Sequence, residues 1–462
     1  MTERALFRQV AEHAGDFVET LETRPIRSEA GVEELTAALG GPLPEDGAPA
    51  DAVLASLVEA AEPGLVGIPS GRYFGFVIGG GVPAAVAADM LAAVWDQNAG
   101  LYVGGPAAAV VEEVCRGWLA ELLGLPEDVS VAYVTGCQMA HVTALAAARL
   151  QVLADAGRDV AADGLAGGPP IRVVVGAKRH ATIDRALRLL GIGVSSLVVV
   201  PADDQGRMLV DELRAALAAG SGPTIVCAQA GEVNTGAFDP LDEIADAVEG
   251  TGAWLHVDGA FGLWAAASPA LRHLVRGSER ADSWATDCHK WLNVPYDSGL
   301  AFCARPDAHR AAIGVTASYL VHAEDGRERD EMDWTPEFSR RARGFAVYAA
   351  LRSLGRAGVA ELVDRCCAHA RRFAAELDAA GADVLNDVVL NQVLVRFGDG
   401  GRTRAVIAAV QEEGTCWLGG TEWNGEHAMR ISVSNWRTTD EDVDRSVRAI
   451  LAAAEIDAPV RA

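Results

Sequence analysis

The chain has 462 residues, half of them apolar, enough to bury one large core or two to three domains' worth of structure. A formal charge of −25 argues against a nucleic-acid binder, because phosphate contacts need concentrated Lys and Arg. No run reads as a membrane span: even residues 252–271 contain His256 and Asp258.

The start, MTERALFRQVAEHAGDF, mixes acids with apolar residues and lacks the basic and apolar regions of a signal peptide, so a soluble, cytoplasmic protein is expected. The eight cysteines form no CxxC pair and stand at no zinc-like spacing from histidines, which favours reduced, buried thiols and no metal site. Residues 4–22 have the apolar spacing of an amphipathic helix, and a Gly/Pro-rich interval follows at 40–51. PSGRYFGFVIGGGVP, at 69–83, mixes aromatics with three consecutive glycines and reads as a loop or short strand at a site or interface. The plainer alternative is a turn into a helix over 84–95.

A helix from Pro106 carries Trp118 and stops at Gly124-Leu125-Pro126, and residues 129–134 read as a strand. TGCQMAHVTALAAAR then turns into a long alanine-rich helix whose first N–H groups and positive end suit a phosphate, although any strand-turn-helix makes such a corner. Strands expected at 171–175, 196–200, 224–229 and 254–257 alternate with helices at 182–190, 209–219 and 241–248. Short Val, Ile and Leu strands between helices indicate a mainly parallel sheet covered on both faces, with ligands at the carboxyl ends of its strands. His180, Asn234 and Asp258 stand at such ends; each alone reads more readily as a cap or turn former, but together they crowd one rim.

The pair His289-Lys290 lies in ADSWATDCHKWLNVPYDSG, at 281–299. A lysine there is either a packed stem with an exposed head or an amine placed for Schiff-base chemistry. After a strand at 299–303, the charged, aperiodic stretch 318–337 reads as a loop or lid. Helices at 338–354, 359–380, 402–413 and 440–454, with strands at 391–397 and 429–434, read as a smaller α+β unit.

Pyridoxal 5′-phosphate requires a lysine amine, an anion for its pyridine nitrogen, a flat face against its ring and a phosphate cup. Lys290, Asp258 and His180 are candidates for the first three, and Asn234 for the phenolic oxygen. Gly136, Cys137, Gln138 and His289 are candidates for the cup, with Ala260 a further cofactor contact.

TGCQMAHVTALAAAR, KRHATIDRA, AGEVNTGAFDP, WLHVDGAFG, TDCHKWLNVPYDSG and SRRARGFAVYAALRSLG, in this order, resemble the group II pyridoxal-dependent decarboxylases. That family includes the aromatic-amino-acid and glutamate decarboxylases. The resemblance implies an α/β, fold-type I (aspartate aminotransferase-like) architecture. A large domain over 73–335 would hold a mainly parallel seven-stranded sheet, with a smaller C-terminal α+β domain over 336–462. A helical arm over 1–72 would pack on the partner of a homodimer. The implied activity is a carboxy-lyase reaction on an L-amino acid, passing through an external aldimine and a quinonoid, with Lys290 forming the internal aldimine. Other fold-type I chemistry (amino transfer or aldol-type cleavage) and a non-catalytic relative are the alternatives; Arg430 does not separate them.

Tyr73, Phe74, Phe76 and Gly79 would border the substrate pocket and, with Trp417 and Trp423, favour an aromatic or bulky substrate. Family decarboxylases commonly carry a proton-donating tyrosine on the mobile loop, but residues 321–335 contain none, and His322 is the only imidazole there. Cys137-Gln138 also replace the glycine, serine or alanine of many members.

Overall fold

The computed structural model describes residues 1–315 and 328–455. Segments such as RVVVG and TIVCAQ are rich in β-branched residues and apolar on both faces, and they form inner strands of a seven-stranded sheet. Its strands are β1 (Ser130–Val134), β2 (Arg172–Gly176), β3 (Leu197–Val200), β4 (Thr224–Gln229), β5 (Trp254–Asp258), β6 (Ser283–Asp287) and β7 (Gly299–Cys303). Their spatial order is β1-β7-β6-β5-β4-β2-β3. The pairs from β3 to β6 are parallel, whereas β7 runs antiparallel to both β6 and β1. Strand β6 was not among the expected strands: SWATD lacks the branched apolar run that marked the others, yet all five of its residues are buried.

The helices are α1 (Glu3–Thr20), α2 (Val32–Leu39), α3 (Ala50–Ala61), α4 (Pro83–Trp95), α5 (Pro106–Leu123), α6 (Cys137–Asp155), α7 (Val160–Asp163), α8 (Ala181–Leu189), α9 (Val210–Ala218), α10 (Leu241–Val248), α11 (Pro306–Ile313), α12 (Gly344–Ala379), α13 (Gly400–Glu413) and α14 (Asp440–Ala453). Helix α6 packs across β6 and β7, and Trp254, Trp264, Trp284 and Trp291 fill the core fully buried. Where two helices were expected at 338–354 and 359–380, the backbone becomes helical at Gly344 and continues to Ala379, broken at Gly355. A φ of +62° there suits glycine alone, which explains why the register changes without a loop.

The second sheet, in the order β10-β11-β9-β8, comprises β8 (Asp383–Val384), β9 (Gln392–Arg396), β10 (Gly419–Trp423) and β11 (Glu426–Ser432), all antiparallel. Residues 73–81 bridge the two sheets. The Phe74 N–H donates to the Trp417 carbonyl (2.7 Å) and the Ser432 N–H to the Phe74 carbonyl (3.0 Å), while the Gly79 N–H reaches the His289 carbonyl (3.3 Å). By contrast, α1, α2 and α3 bury none of their residues. Among the described residues, no helix is long and apolar enough to cross a membrane.

Candidate active site

Because β2, β4, β5 and β6 are parallel, their carboxyl ends open on one rim; β1, reversed twice relative to β6, ends there too and feeds α6. Asp258 closes β5, Asp287 closes β6, and Lys290 follows three residues later. The Lys290 ammonium lies 3.0 Å from Asp287 Oδ2. Burial opposes its charge, but Asp287, by charge and hydrogen bond, holds its pKa above the ordinary lysine value, with Cys137 and Asp258 adding to the effect. A fifth of the side chain stays exposed, so the amine is crowded by carboxylates yet open to a small molecule.

Asp287 was not among the candidate site residues. Its other oxygen accepts the Cys137 N–H at 2.6 Å, so it also caps the start of α6. His289 Nε2 stands 3.4 Å from the same oxygen, its Nδ1 accepts the Ser298 N–H (3.2 Å), and its ring stacks on Tyr296 at 4.3 Å. The expected phosphate cup is thus closed on one side by a carboxylate.

Asp258 is buried at the floor. Its Oδ1 accepts the Ala260 N–H (3.2 Å) and lies 3.9 Å from Cys137 Sγ, and its Oδ2 lies 3.5 Å from His141 Nε2. Burial would raise its pKa, but His141, His180 and Lys290 together hold it below the usual carboxylate range. His141 was missed, although Cys137-x3-His141 places both side chains on one face of the first turns of a helix. Cys137 Sγ, His141 Nε2 and an Asp258 oxygen lie within 4.8 Å of one another, a cluster with metal-ligand chemistry that the cysteine spacing did not suggest. All eight cysteines are free and buried.

His180 is the N-cap of α8, with Nδ1 2.8 Å from Thr182 Oγ1 and the ring on the open side of the rim. Gln138 Nε2 donates to the Thr182 carbonyl (3.3 Å), leaving its buried Oε1 without a partner. Asn234 is tied into the second sheet: Nδ2 donates to Glu232 Oε1 (2.9 Å), and Oδ1 accepts from Thr421 (2.9 Å) and Arg430 (3.4 Å).

The aromatic segment needs correction. Phe74, expected at the substrate pocket, is a core residue, packed edge-on against Phe373 at 4.9 Å. Tyr73 is also buried, stacked on Trp417 at 5.2 Å. Phe76 is exposed, with a left-handed φ of +55°, and lies over the same Trp417 ring at 5.6 Å. A Cβ at Gly79 would overlap the Lys290 carbonyl oxygen, so this glycine lets the 73–81 segment pass against the lysine's backbone. His322 falls outside the described residues.

The rim fits pyridoxal 5′-phosphate in donor chemistry and in shape. It offers an amine and a buried carboxylate held ionised, and at Gly136 a Cβ would press on the His289 ring at 3.0 Å. Fold and site together define a pyridoxal-phosphate enzyme of the α/β type. The chain belongs to the pyridoxal-dependent decarboxylase family, whose conserved-domain model matches residues 37–397. It is a pyridoxal-phosphate-dependent carboxy-lyase.

It is 26% identical to an aromatic-L-amino-acid decarboxylase of Bacillus atrophaeus over 98% of this chain and 95% of that one. It is 30% identical to an L-2,4-diaminobutyrate decarboxylase of Rhizobium meliloti over 88% and 83% of the respective chains. In fold it matches the crystal structure of Oryza sativa TDC with PLP and tryptamine, with a TM-score of 0.92 at 23% identity, covering 98% of this chain and 97% of that one.

Proposed function

We propose that Lys290 carries the cofactor and that the chain decarboxylates an L-amino acid with an aromatic or otherwise bulky side chain. The observation that carries the assignment is the Lys290 amine set among Asp287, Cys137 and Asp258 at the strand ends. When bound, pyridoxal 5′-phosphate supplies an electron sink for the charge left at Cα as carbon dioxide departs.

The chain's own groups hold and orient it. Asp258 would pair with the ring nitrogen and favour its protonated form. His180 would lie against the ring, and the second N–H of Asn234 Nδ2 would serve the phenolic oxygen. Gly136, Cys137, Gln138 and His289 would form the phosphate cup, and the Ala260 N–H donates to Asp258. Asp287 keeps the Lys290 amine protonated until a ligand displaces the pair. Phe76, stacked on Trp417 beside the glycine at 79, offers a flat apolar wall to a bulky substrate; the Bacillus relative's name agrees with that choice.

The chain divides into an arm at 1–72, a cofactor-binding domain at 73–335 and a C-terminal domain at 336–462, and it works as a homodimer. Eight free buried thiols suit a reducing cytoplasm.

Borohydride reduction of the cofactor-loaded protein followed by peptide mass spectrometry should find the reduced cofactor on Lys290. Lys290→Ala should abolish the adduct and lower decarboxylation by at least about 10³-fold, as loss of a covalent catalyst does. A panel of L-amino acids should release carbon dioxide and amine in equal amounts. Keto acid formed from the substrate while a second oxo acid is consumed, without carbon dioxide, would reject the reading.

A further inference from the structure

Behind Asp258 runs a line of buried polar groups that the cofactor contacts do not explain. Trp254 Nε1 lies 2.8 Å from Ser283 Oγ, which lies 2.9 Å from His256 Nδ1. His256 Nε2 lies 3.0 Å from His141 Nδ1, and His141 Nε2 faces Asp258 Oδ2 at 3.5 Å and Cys137 Sγ at 3.4 Å. His141, His256 and Ser283 have no exposed surface.

The direction of this line follows from its far end. An indole N–H can only donate, so Ser283 Oγ accepts from Trp254. Among the described residues the hydroxyl proton then has one remaining acceptor in reach, His256 Nδ1. With Nδ1 accepting, a neutral His256 carries its proton on Nε2 and donates to His141 Nδ1. That fixes the His141 proton on Nε2, which faces Cys137 Sγ (3.4 Å) and Asp258 Oδ2 (3.5 Å) together, the carboxylate being the stronger acceptor of the two. The opposite polarity would leave the buried Ser283 hydroxyl without an acceptor, which is disfavoured. Burial pushes the His256 pKa down to about 3, with His141 contributing, in keeping with a neutral ring.

We propose that Trp254, Ser283, His256 and His141 form a one-way hydrogen-bond relay that locks a donor onto Asp258 and so keeps the proton on the cofactor's ring nitrogen. His141, His256 and Ser283 are positioning residues; they act through Asp258. A donor fixed by its neighbours stabilises the carboxylate without bringing a free charge, and an ionised Asp258 leaves the proton on the ring. Asp258 is held from two sides, by the Ala260 N–H and by the relay.

This rests on the proposed pairing of Asp258 with the ring nitrogen, and the two can be tested apart. The protein is loaded with pyridoxal 5′-phosphate carrying nitrogen-15 in the ring, and the ring-nitrogen resonance is read by solid-state NMR at one fixed pH. In the unaltered protein it should sit at the protonated position; an unprotonated resonance there would overturn the Asp258 pairing itself. His141→Leu removes the donor and should move the resonance toward the unprotonated position. Cofactor affinity should fall about 10-fold or more, as when a hydrogen bond to a charged group is lost.

Ser283→Ala lies three links away and touches no cofactor atom, yet it frees the tautomers to reverse and should shift the resonance in the same direction. His141→Gln, whose amide can accept from His256 and donate to Asp258, should restore it. A merely structural role predicts altered thermal stability in these variants with an unmoved ring nitrogen. That outcome in Ser283→Ala, or Gln behaving as Leu does at position 141, overturns the relay.

Discussion

At the scale of single residues, the site depends on how two carboxylates divide their duties. Asp258 sits at the floor and Asp287 takes the Lys290 amine and the Cys137 N–H together. Asp287→Asn keeps an acceptor for that N–H and removes the charge. Burial then acts on Lys290 less opposed, so its pKa should drop. In cofactor-free protein near pH 8 the amine should react with an amine-directed reagent faster, by about tenfold for each pKa unit lost. An unchanged labelling rate at Lys290, followed by peptide mass spectrometry, would assign the raised pKa to other groups.

The placing of Asp258, His180 and Lys290 on one rim was legible because each stands at the end of a recognisable strand or inside a strongly patterned motif. Asp287 was hidden because its strand was not recognised, and His141 because an imidazole in an alanine-rich helix reads as packing. Phe74 was misjudged for the opposite reason: an aromatic beside glycines looks like a pocket wall, whereas its hydrogen bonds to Trp417 and Ser432 turn it into the core.

Among elements, periodicity carried most of the assignments, and it failed where tertiary contacts override propensity. β6 holds Ala, Thr and Asp in a fully buried strand, and β10 opens on two glycines. The aperiodic charged stretch 318–337 reads as a loop or lid; of its described part, Asp330, Glu331, Met332, Asp333 and Thr335 are instead buried. Glu331 is buried beside Arg329 (3.0 Å), close to the buried Glu112–Arg340 pair (2.7 Å) that links α5 to the chain entering α12.

Burial outweighs the attraction of Arg329 and, with Glu112 opposing ionisation, pushes the Glu331 carboxyl up to about 8. Below the ordinary glutamate pKa, both folded and unfolded chains hold this proton. Between there and about 8 only the folded chain does, so stability falls as pH rises, by at most about 1.4 kcal/mol per pH unit. Glu331→Gln, which does not ionise, should therefore gain stability relative to the parent from pH 5 to pH 8 in denaturant melts. A constant difference across that range would mean Glu331 is ionised in the folded protein throughout.

For the whole molecule, one chain leaves too much apolar surface uncovered. α1, α2 and α3 bury none of their residues, and Phe7, Val53, Leu57, Met90, Val94 and Trp95 are large apolar side chains exposed on α1, α3 and α4. Between α1, α4 and the glycines at 80–81 lies a largely apolar cavity of about 620 Å³, walled by Phe17, Val18, Ile78, Met90 and Tyr296. Tyr296 stacks on His289, so this surface continues into the cofactor rim. Patches of this kind mark an interface, and a net charge of −25 alone would keep the copies apart. A second copy that buries the arm would offset that repulsion with an interface of the obligate class, about 2,000 Å² or more.

Replacing Met90 by Arg and Val94 by Asp puts two charges on the exposed face of α4 without touching Lys290, Asp258 or Asp287. Sedimentation should then change from the proposed dimer to single 48.3 kDa chains. If the interface also holds the Tyr296–His289 stack in place, the monomer should lose cofactor at least about tenfold faster, a change of roughly 1.4 kcal/mol in the barrier. Retention of the cofactor by a folded monomer would confine the partner to shape and solubility. A variant still dimeric at micromolar concentration would place the interface away from α4.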